Sequence, residues 1–287
     1  MGDGARRLAV RIVVTGAGGQ LGRELVKAFE GHELVALDHA HADVTDRDAV
    51  LQAVITTAPD AVVHAAAWTA VDACEGDPDR AYRVNALGTR HVTEAARRAG
   101  AQVCYVSTDY VFDGAQPEPY VEWDPPNPAS MYGRSKLAGE RELDPGSILV
   151  RTSWVCGRHG HNMVKTILRL AGKHDELTFV DDQRGHPTFA DDLATMIRRL
   201  VVERRSGVYH VTNQGAVSWF EFARAVLEAA GLEPERVKPI ATADLDPPRP
   251  APRPPNSVLD NAALRLDGIP LLPHFSEPLG RLVAVIG

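Results

Sequence analysis

The sequence predicts an α/β protein built on a doubly wound parallel sheet, with a smaller C-terminal lobe. Short, almost continuously apolar segments alternate with longer amphipathic segments. This alternation is typical of a parallel sheet that is covered by helices on both faces. The first apolar segment also ends in a glycine-rich turn that opens a helix. Because crossovers between parallel strands are right-handed, a doubly wound sheet is the natural arrangement.

The predicted elements follow one another regularly in the first half of the chain. Strands are predicted at residues 11–15, 33–38, 61–64, 102–107 and 148–151. Helices are predicted at residues 20–30, 46–57, 79–100 and 131–143. We expect Asp46 to be the N-cap or a first-turn acid of the second helix, and Gly100 to cap the C-terminus of the third.

The pattern loosens after about Trp154. Helices are predicted at residues 160–171, 187–203 and 218–230, and a strand at residues 207–211. Ser218 and Glu221 have the spacing of a capping box at the start of the last helix. Six prolines occur between Asp246 and Pro255, which excludes a helix or the interior of a sheet there. This segment is either a linker or a stiff loop that faces a ligand.

Composition and charge exclude some classes of protein. A net charge of −7 over 287 residues disfavours nucleic-acid binding, which needs a basic face. The three dispersed cysteines, Cys74, Cys104 and Cys156, form neither a disulfide framework nor a metal-binding spacing. Residues 1–10 contain no apolar segment of signal-peptide length, and no run of about 18 apolar residues occurs. We therefore expect a cytoplasmic protein without a membrane span.

The glycine-rich turn has the features of a dinucleotide-binding loop. Gly16, Gly19 and Gly22 follow the first strand and open a helix, and the second strand ends in an acid. Glycines let the backbone approach a pyrophosphate, and the helix N-terminus offers free N–H groups to the anion. The alternative is a tight turn without a ligand. The residues predicted to contact the cofactor in this turn are Gly16, Gly18, Gly19, Gln20 and Leu21.

Asp38 lies 22 residues after Gly16 and ends the second strand. A carboxylate at this position accepts hydrogen bonds from ribose hydroxyls and repels a 2′-phosphate, which favours NAD over NADP. His39 and His41 would weaken that repulsion, so the expected cofactor is NADPH or NADH. We expect the other cofactor contacts along these strand ends at Asp43, Val44, Ala65, Ala66 and Ala67. The alternative for the alanines is close packing of a helix on the sheet.

Tyr132 and Lys136 are the candidate acid–base pair. They lie four positions apart in a predicted helix and therefore share one face. A nearby cation stabilises a phenolate and so lowers the pKa of tyrosine. By itself this spacing is common on protein surfaces. Thr108, however, closes the fourth strand at the edge of the sheet where ligands bind, and its hydroxyl is placed to hydrogen-bond a substrate carbonyl. Without the neighbouring motifs, Thr108 would be interpreted as a turn residue at the end of a strand.

Together these residues resemble the extended short-chain dehydrogenase/reductase family, with its Rossmann fold. The glycine-rich loop, Asn85, Thr108 and the Tyr132–Lys136 pair carry the resemblance, which extends through nearly the whole chain. Five further strings are similar to members that act on nucleotide-linked keto sugars: AAAWTAVD at 65–72, STDYVFDG at 107–114, RTSWV at 151–155, DQRGHPT at 182–188 and RPPNS at 253–257.

The resemblance implies an enzyme that reduces the 4-keto group of dTDP-4-dehydro-L-rhamnose to dTDP-L-rhamnose with NAD(P)H. It implies that Thr108, Tyr132 and Lys136 are catalytic, that Lys136 also holds the nicotinamide ribose, and that Asn85 lies beside the cofactor. The implied substrate-binding residues are Thr69, Val71, Thr108, Asp109, Tyr110, Trp154, Asn162, Arg253 and Ser257. The implied domains are 10–155, with 188–212 returning to it, and a substrate-binding lobe at 156–187 and 213–287.

Some positions depart from the family pattern. Trp68 and Cys156 replace two usual tyrosines, which leaves open a related deoxysugar 4-ketoreductase or epimerase. Another alternative is a non-catalytic regulatory subunit resembling that of methionine adenosyltransferase. Some members dimerise through a magnesium ion held by glutamates. Glu24 and Asp191 match two of those positions but no third acid does, so we expect no metal, and either a monomer or a homodimer.

Overall fold

A computed structural model describes residues 10–286, and the expectation for the first nine residues therefore lies outside the described part of the chain. Six parallel strands form the central sheet, and helices cover both of its faces. The predicted doubly wound α/β architecture is confirmed. No helix between residues 10 and 286 is both long enough and apolar enough to cross a membrane.

Strands and helices alternate through the first half of the chain, and several shorter strands follow in the second half. The strands are β1 Arg11–Thr15, β2 Glu33–Leu37, β3 Ala61–His64, β4 Gln102–Thr108, β5 Ile148–Thr152, β6 Val155–Cys156, β7 Leu177–Val180, β8 Arg184–Gly185, β9 Thr188–Phe189, β10 Gly207–His210, β11 Val217–Ser218 and β12 Val237–Ile240. The α-helices are α1 Gln20–Ala28, α2 Arg47–Thr57, α3 Val71–Gly76, α4 Pro78–Tyr82, α5 Gly88–Ala99, α6 Met131–Glu140, α7 Met163–Ala171, α8 Ala190–Val202, α9 Trp219–Ala229, α10 Ala262–Leu266 and α11 Ser276–Ile286. The strand order of the central sheet is β2-β1-β3-β4-β5-β10.

The apolar strands are buried on both faces, as their composition predicts. Ile12 and Val14 of β1 face a core shared with α1, α8 and α10. Val13, between them, faces the opposite core, which is shared with α2 and α5. Successive side chains of a strand point to opposite faces, so a strand in a covered sheet is apolar at every position.

Several helix termini follow their sequence signals. The Asp46 side chain accepts from the backbone N–H groups of Asp48 and Ala49 and caps α2. Gly100 takes the left-handed conformation after α5. Ser218 and Glu221 form the predicted capping box of α9. These caps satisfy N–H and C=O groups that the helix leaves without partners.

The segment predicted as a helix at 79–100 is helical from Pro78 to Ala99, but it contains a π-helical turn. This turn, at Arg83–Leu87, joins α4 to α5. It contains Asn85, whose side chain is hydrogen-bonded to the backbone of Trp68 outside the helix. The segment predicted as one helix at 187–203 also differs, because Thr188–Phe189 pairs with β6 before α8 begins.

A second core lies in the C-terminal half. It is built mainly from α7, α9 and α11 with β7 and β12, which pair in parallel. The returning strand β10 pairs with β5 and adds the sixth strand to the central sheet. The domain boundaries drawn from the sequence stay a prediction. Residues 246–255 form neither helix nor strand, and Arg253 ties this segment to α3 through Asp72.

Candidate active site

A cleft opens at the carboxyl ends of the strands, beside the point where the strand order reverses. From β1 the chain moves to β2 on one side and then returns to β3 on the other, and such switch points are where doubly wound sheets bind ligands. An outer cavity of about 890 Å³ and an inner cavity of about 430 Å³ share four lining residues: Gly16, Gly19, Ala65 and Ala67. The two cavities therefore form one continuous cleft.

The glycine-rich loop fits a pyrophosphate. Gly16 has φ +71°, and a Cβ there would lie 2.6 Å from the backbone nitrogen of Ala66. A side chain at Gly22 would collide with the carbonyl of Gly16. Gly19 occupies the N-cap of α1 and provides no capping side chain, and Gln20 and Leu21 line the inner cavity. Because the helix N-terminus faces the cleft without a side-chain cap, its N–H groups and positive dipole are available to an anion.

The predicted adenosine contacts lie together in the outer cavity. Its lining includes Gly18, Asp38, Asp43, Val44 and Ala66. The carboxylate Oδ1 of Asp38 accepts from the backbone N–H of Ala40 and lies 2.6 Å from Nδ1 of His41. This imidazole contact lowers the pKa of the Asp38 carboxyl. A negative charge thus faces the cavity where we predict the cofactor ribose.

Asn85 does not line the cleft. Its amide accepts from the backbone N–H of Trp68 (2.8 Å) and donates to the carbonyl of Trp68 (3.1 Å) and to Oγ of Ser135 (3.0 Å). All of these partners belong to the protein, and the side chain is buried. In this structure Asn85 joins the loop after β3 to α6, one layer behind the cleft.

Thr108, Tyr132 and Lys136 are brought together in the inner cavity. Thr108 is the last residue of β4, and the other two side chains lie on α6. Ser130 caps this helix by accepting from the N–H of Gly133 at 3.1 Å. A side chain on Gly133 would collide with the carbonyl of Tyr110. The glycine next to Tyr132 is therefore what lets α6 pack against the turn that follows Thr108.

Burial dominates the electrostatics of Tyr132. It raises the pKa of the phenol above its ordinary value, and a hydrogen bond with Thr108 acts in the opposite direction. The ring packs edge-on against Tyr110, with 5.4 Å between the centroids. At neutral pH the phenol therefore carries its proton, which is the form that a general acid requires.

Lys136 is buried, and desolvation lowers its pKa to about 7. Its ammonium donates to the carbonyl of Val106 at 2.7 Å and lies 4.1 Å from the ring centroid of Tyr105. Glu140, on the next turn of α6, acts in the opposite direction and raises this pKa. Glu140 in turn forms a buried ion pair with Arg151 at 2.7 Å.

Most of the predicted sugar contacts line the inner cavity. They are Thr69, Val71, Asp109, Tyr110 and Trp154. Asp109 is buried, and its Oδ1 accepts from the hydroxyl of Thr108 at 2.9 Å. Burial raises the pKa of the Asp109 carboxyl to about 6, against the hydrogen bond from Thr108. The cavity thus places apolar, aromatic and acidic groups around the Thr108 hydroxyl.

Three predicted substrate residues do not line either cavity. Asn162 caps α7 and donates to Oε1 of Gln20 at 2.8 Å. Arg253 forms a two-point ion pair with Asp72, at 2.5 and 2.8 Å. Ser257 is buried and donates to the carbonyl of Arg184 at 3.2 Å. Each of these side chains has protein partners next to the cleft.

Sequence reasoning missed some residues of the cleft. Arg80 and Arg83 line the outer cavity, and His161 and Trp219 line the inner one. Trp219 follows Ser218, the first residue of the capping box, but a capping signal does not indicate which side chains of the helix face the cleft. Among residues 10–286, no group of three or more His, Cys, Asp or Glu side chains is arranged to hold a metal ion.

Comparisons with known proteins identify the family of the chain. The model of the family described as RmlD substrate binding domain matches residues 10–286. The dTDP-4-dehydrorhamnose reductase of Mycobacterium tuberculosis is 42% identical over 285 residues, covering 96% of this chain and 92% of that protein. The dTDP-4-keto-6-deoxy-D-glucose reductase of Streptomyces niveus is 37% identical over 281 residues, covering 94% and 95%.

A solved structure shows the same fold. The crystal structure of dTDP-4-dehydrorhamnose reductase from Bacillus anthracis in complex with NADP is similar with a TM-score of 0.92 and 39% identity, covering 96% of this chain and 99% of that one. The family model and the relatives extend over nearly the whole chain. The resemblance inferred from the sequence is confirmed: the chain belongs to the RmlD substrate binding domain family.

Proposed function

We propose that this protein reduces the 4-keto group of dTDP-4-dehydro-L-rhamnose with NAD(P)H and forms dTDP-L-rhamnose. One observation carries the proposal. A hydroxyl, a phenol and an ammonium, from Thr108, Tyr132 and Lys136, line the same cavity as the glycine-rich loop. This is the set of groups that carbonyl reduction needs beside a dinucleotide. Membership of the family and the names of its relatives support the same reaction.

The cleft residues fit a nicotinamide dinucleotide. Gly16 and the N-terminus of α1 would hold the pyrophosphate, because a Cβ at Gly16 would fill the space above the Ala66 backbone. Asp38 would accept from the adenosine ribose, and Lys136 would hold the nicotinamide ribose. When bound, the reduced cofactor supplies a hydride to the keto carbon. The complex of the Bacillus anthracis relative with NADP supports this class of cofactor.

The side chains of this protein handle the proton. Tyr132 donates its phenolic proton to the carbonyl oxygen as that oxygen becomes an alkoxide. The Thr108 hydroxyl, whose proton points to Asp109 in this structure, turns to donate to the same oxygen. Lys136 lies one helical turn from the phenol and, when charged, stabilises the phenolate that remains. Burial of the site strengthens each of these interactions, since the local dielectric is low.

The sugar occupies the inner cavity, between Thr69, Val71, Tyr110 and Trp154. Asp109 lies beside Thr108 at the wall of this cavity, and Arg253 serves the diphosphate end from the proline-rich segment. Asn162 and Ser257 support these groups from behind the cavity, since their polar atoms contact protein partners. The proline-rich segment is then a binding loop and not a linker.

The protein acts in the cytoplasm. It does so either as a monomer or as a homodimer. All three cysteines are buried and free of disulfides, which is the usual state in a reducing compartment. Light scattering of the purified protein distinguishes the two oligomeric states.

The test is to incubate the purified protein with NADPH or NADH and dTDP-4-dehydro-L-rhamnose. Reduced-nicotinamide absorbance gives the rate, and NMR identifies the product. We expect dTDP-L-rhamnose, with slower turnover of dTDP-4-keto-6-deoxy-D-glucose as the control substrate. Faster turnover of the control would indicate a different deoxysugar reductase. No turnover together with a tightly bound enzyme partner would indicate a regulatory subunit.

A further inference from the structure

Trp154 has a backbone conformation that bulky residues rarely take. Its φ is +44°, in the left-handed region, where a Cβ crowds the backbone. It lies between β5 and β6, and its indole lines the inner cavity with Thr108 and Tyr132. A strained residue of this kind persists only where its surroundings hold it in place.

Two contacts hold the indole. One comes from the ribbon formed by β8 and β11, and the other comes from Trp219, which follows that ribbon. Trp219 stacks on Trp154 with ring centroids 3.5 Å apart and planes 8° from parallel. On β8, a Cβ at Gly185 would lie 2.7 Å from Cε2 of Trp154, so the ring packs directly on that backbone. β8 pairs with β11, and Trp219 follows β11 immediately. Gly185 of the ribbon and Trp219 of α9 therefore contact the indole at two points.

Trp219 is itself anchored in the C-terminal core. Its ring contacts Phe222 edge-on at 6.1 Å, and Phe222 contacts Phe275 edge-on at 5.9 Å. Phe222 is fully buried. The backbone before Trp219 is fixed by the capping box at Ser218, whose hydroxyl also bonds Asp181. A series of aromatic contacts thus connects the cavity wall with the C-terminal core.

We propose that Trp219, which itself lines the inner cavity, is a positioning residue for the sugar pocket: its stacked ring holds Trp154 in the strained conformation that forms one wall of that cavity. The proposal rests on the proposed function for the identity of the ligand. Thr108, Tyr132 and Lys136 lie on β4 and α6, away from this ribbon. Loss of the stack should therefore weaken sugar binding more than it slows the chemical step.

The stack has a spectroscopic signature that needs no substrate. Two indoles stacked at 3.5 Å couple their electronic transitions, and this coupling contributes to the circular dichroism of the protein. We expect the spectrum of Trp219→Phe to differ from that of the unsubstituted protein by more than the spectrum of Trp123→Phe does, since Trp123→Phe removes a tryptophan that is 67% exposed. A change in Trp219→Phe no larger than that in Trp123→Phe would overturn the proposal.

Steady-state kinetics separate positioning from a merely structural role. For Trp219→Leu we expect a rise of about tenfold in KM for the keto sugar, the upper range for one aromatic pair, with kcat changed less than about threefold. Trp219→Phe restores a ring and should return KM to within about threefold of the unsubstituted value. Trp123→Leu is the matched control, with KM unchanged.

Gly185→Ala provides a second route if Trp219→Leu does not fold. The added methyl group would lie 2.7 Å from Cε2 of Trp154 and 2.9 Å from Oγ of Ser257. It should displace the Trp154 ring without changing Trp219 and raise KM to a similar extent. An unchanged KM in the folded Trp219→Leu or in Gly185→Ala would overturn the inference. No turnover by the unsubstituted protein would reject the proposed function instead, so the two failures are distinguishable.

Discussion

The buried ammonium of Lys136 should make folding stability depend on pH. Its pKa is about 7 in the folded protein against an ordinary value of 10.5, and this interval corresponds to about 5 kcal/mol. Between these two values the unfolded chain holds a proton that the folded chain has lost. Stability should therefore rise with pH by up to about 1.4 kcal/mol per pH unit in this range. From pH 7 to pH 9 the expected gain from this residue is about 2 kcal/mol.

The assay compares urea unfolding of the unsubstituted protein with that of Lys136→Met at several pH values. Contributions from other titrating groups cancel in the difference between the two proteins. We expect the variant to be relatively most stable below pH 7 and to lose about 2 kcal/mol of that advantage by pH 9. Lys238→Met, at an exposed lysine, should give a difference that does not change with pH. A pH-independent difference for Lys136→Met would show that Lys136 does not lose its proton on folding.

Three further predictions concern charged groups around the cleft. Glu140→Gln leaves the buried Arg151 guanidinium without its carboxylate and should cost about 3–5 kcal/mol in urea unfolding; a loss below about 1 kcal/mol would contradict this. Asp72→Asn removes the competitor for Arg253 and should lower KM for the dTDP sugar about threefold, whereas Arg253→Ala should raise it; unchanged KM in both would remove Arg253 from the diphosphate site. Asp38→Asn removes repulsion of a 2′-phosphate and should improve the NADPH-to-NADH ratio of kcat/KM about fivefold; an unchanged ratio would show that the carboxylate does not face that phosphate.

The sheet was predictable because its physical requirements appear locally in the sequence. A parallel strand covered on both faces must be apolar at successive positions, and β1 and β3 have the predicted bounds. Gly16 was predicted from the glycine-rich pattern that follows the first strand, and the structure adds that a close approach of Ala66 leaves no room for a Cβ there. These features depend on neighbours that sequence and topology already specify.

Features that depend on distant partners were not predictable. The π-helical turn contains Asn85, which is hydrogen-bonded to Trp68, 17 residues earlier. The partner of Arg253 is Asp72, 181 residues away, and no local pattern indicates that contact. Spacing alone likewise placed Tyr132 and Lys136 on one helix face without showing how deeply both are buried.

That burial changes the expected electrostatics of the site. The sequence suggested a cation that lowers the pKa of Tyr132, but in the structure desolvation raises this pKa and lowers that of Lys136. The phenol is thus kept protonated, which suits the donation of a proton to a reduced carbonyl. The sequence indicated which residue types to expect in the site, while their protonation depends on tertiary packing.

The most direct test of the account is the turnover of Tyr132→Phe with the keto sugar and NADPH. Phenylalanine keeps the ring that packs on Tyr110 and removes only the hydroxyl, so folding should be retained. Tyr82→Phe, at an exposed tyrosine, is the matched control. We predict that kcat falls at least about 100-fold in Tyr132→Phe and stays unchanged in the control. A kcat within a few fold of the unsubstituted protein would contradict the role of Tyr132 as the proton donor.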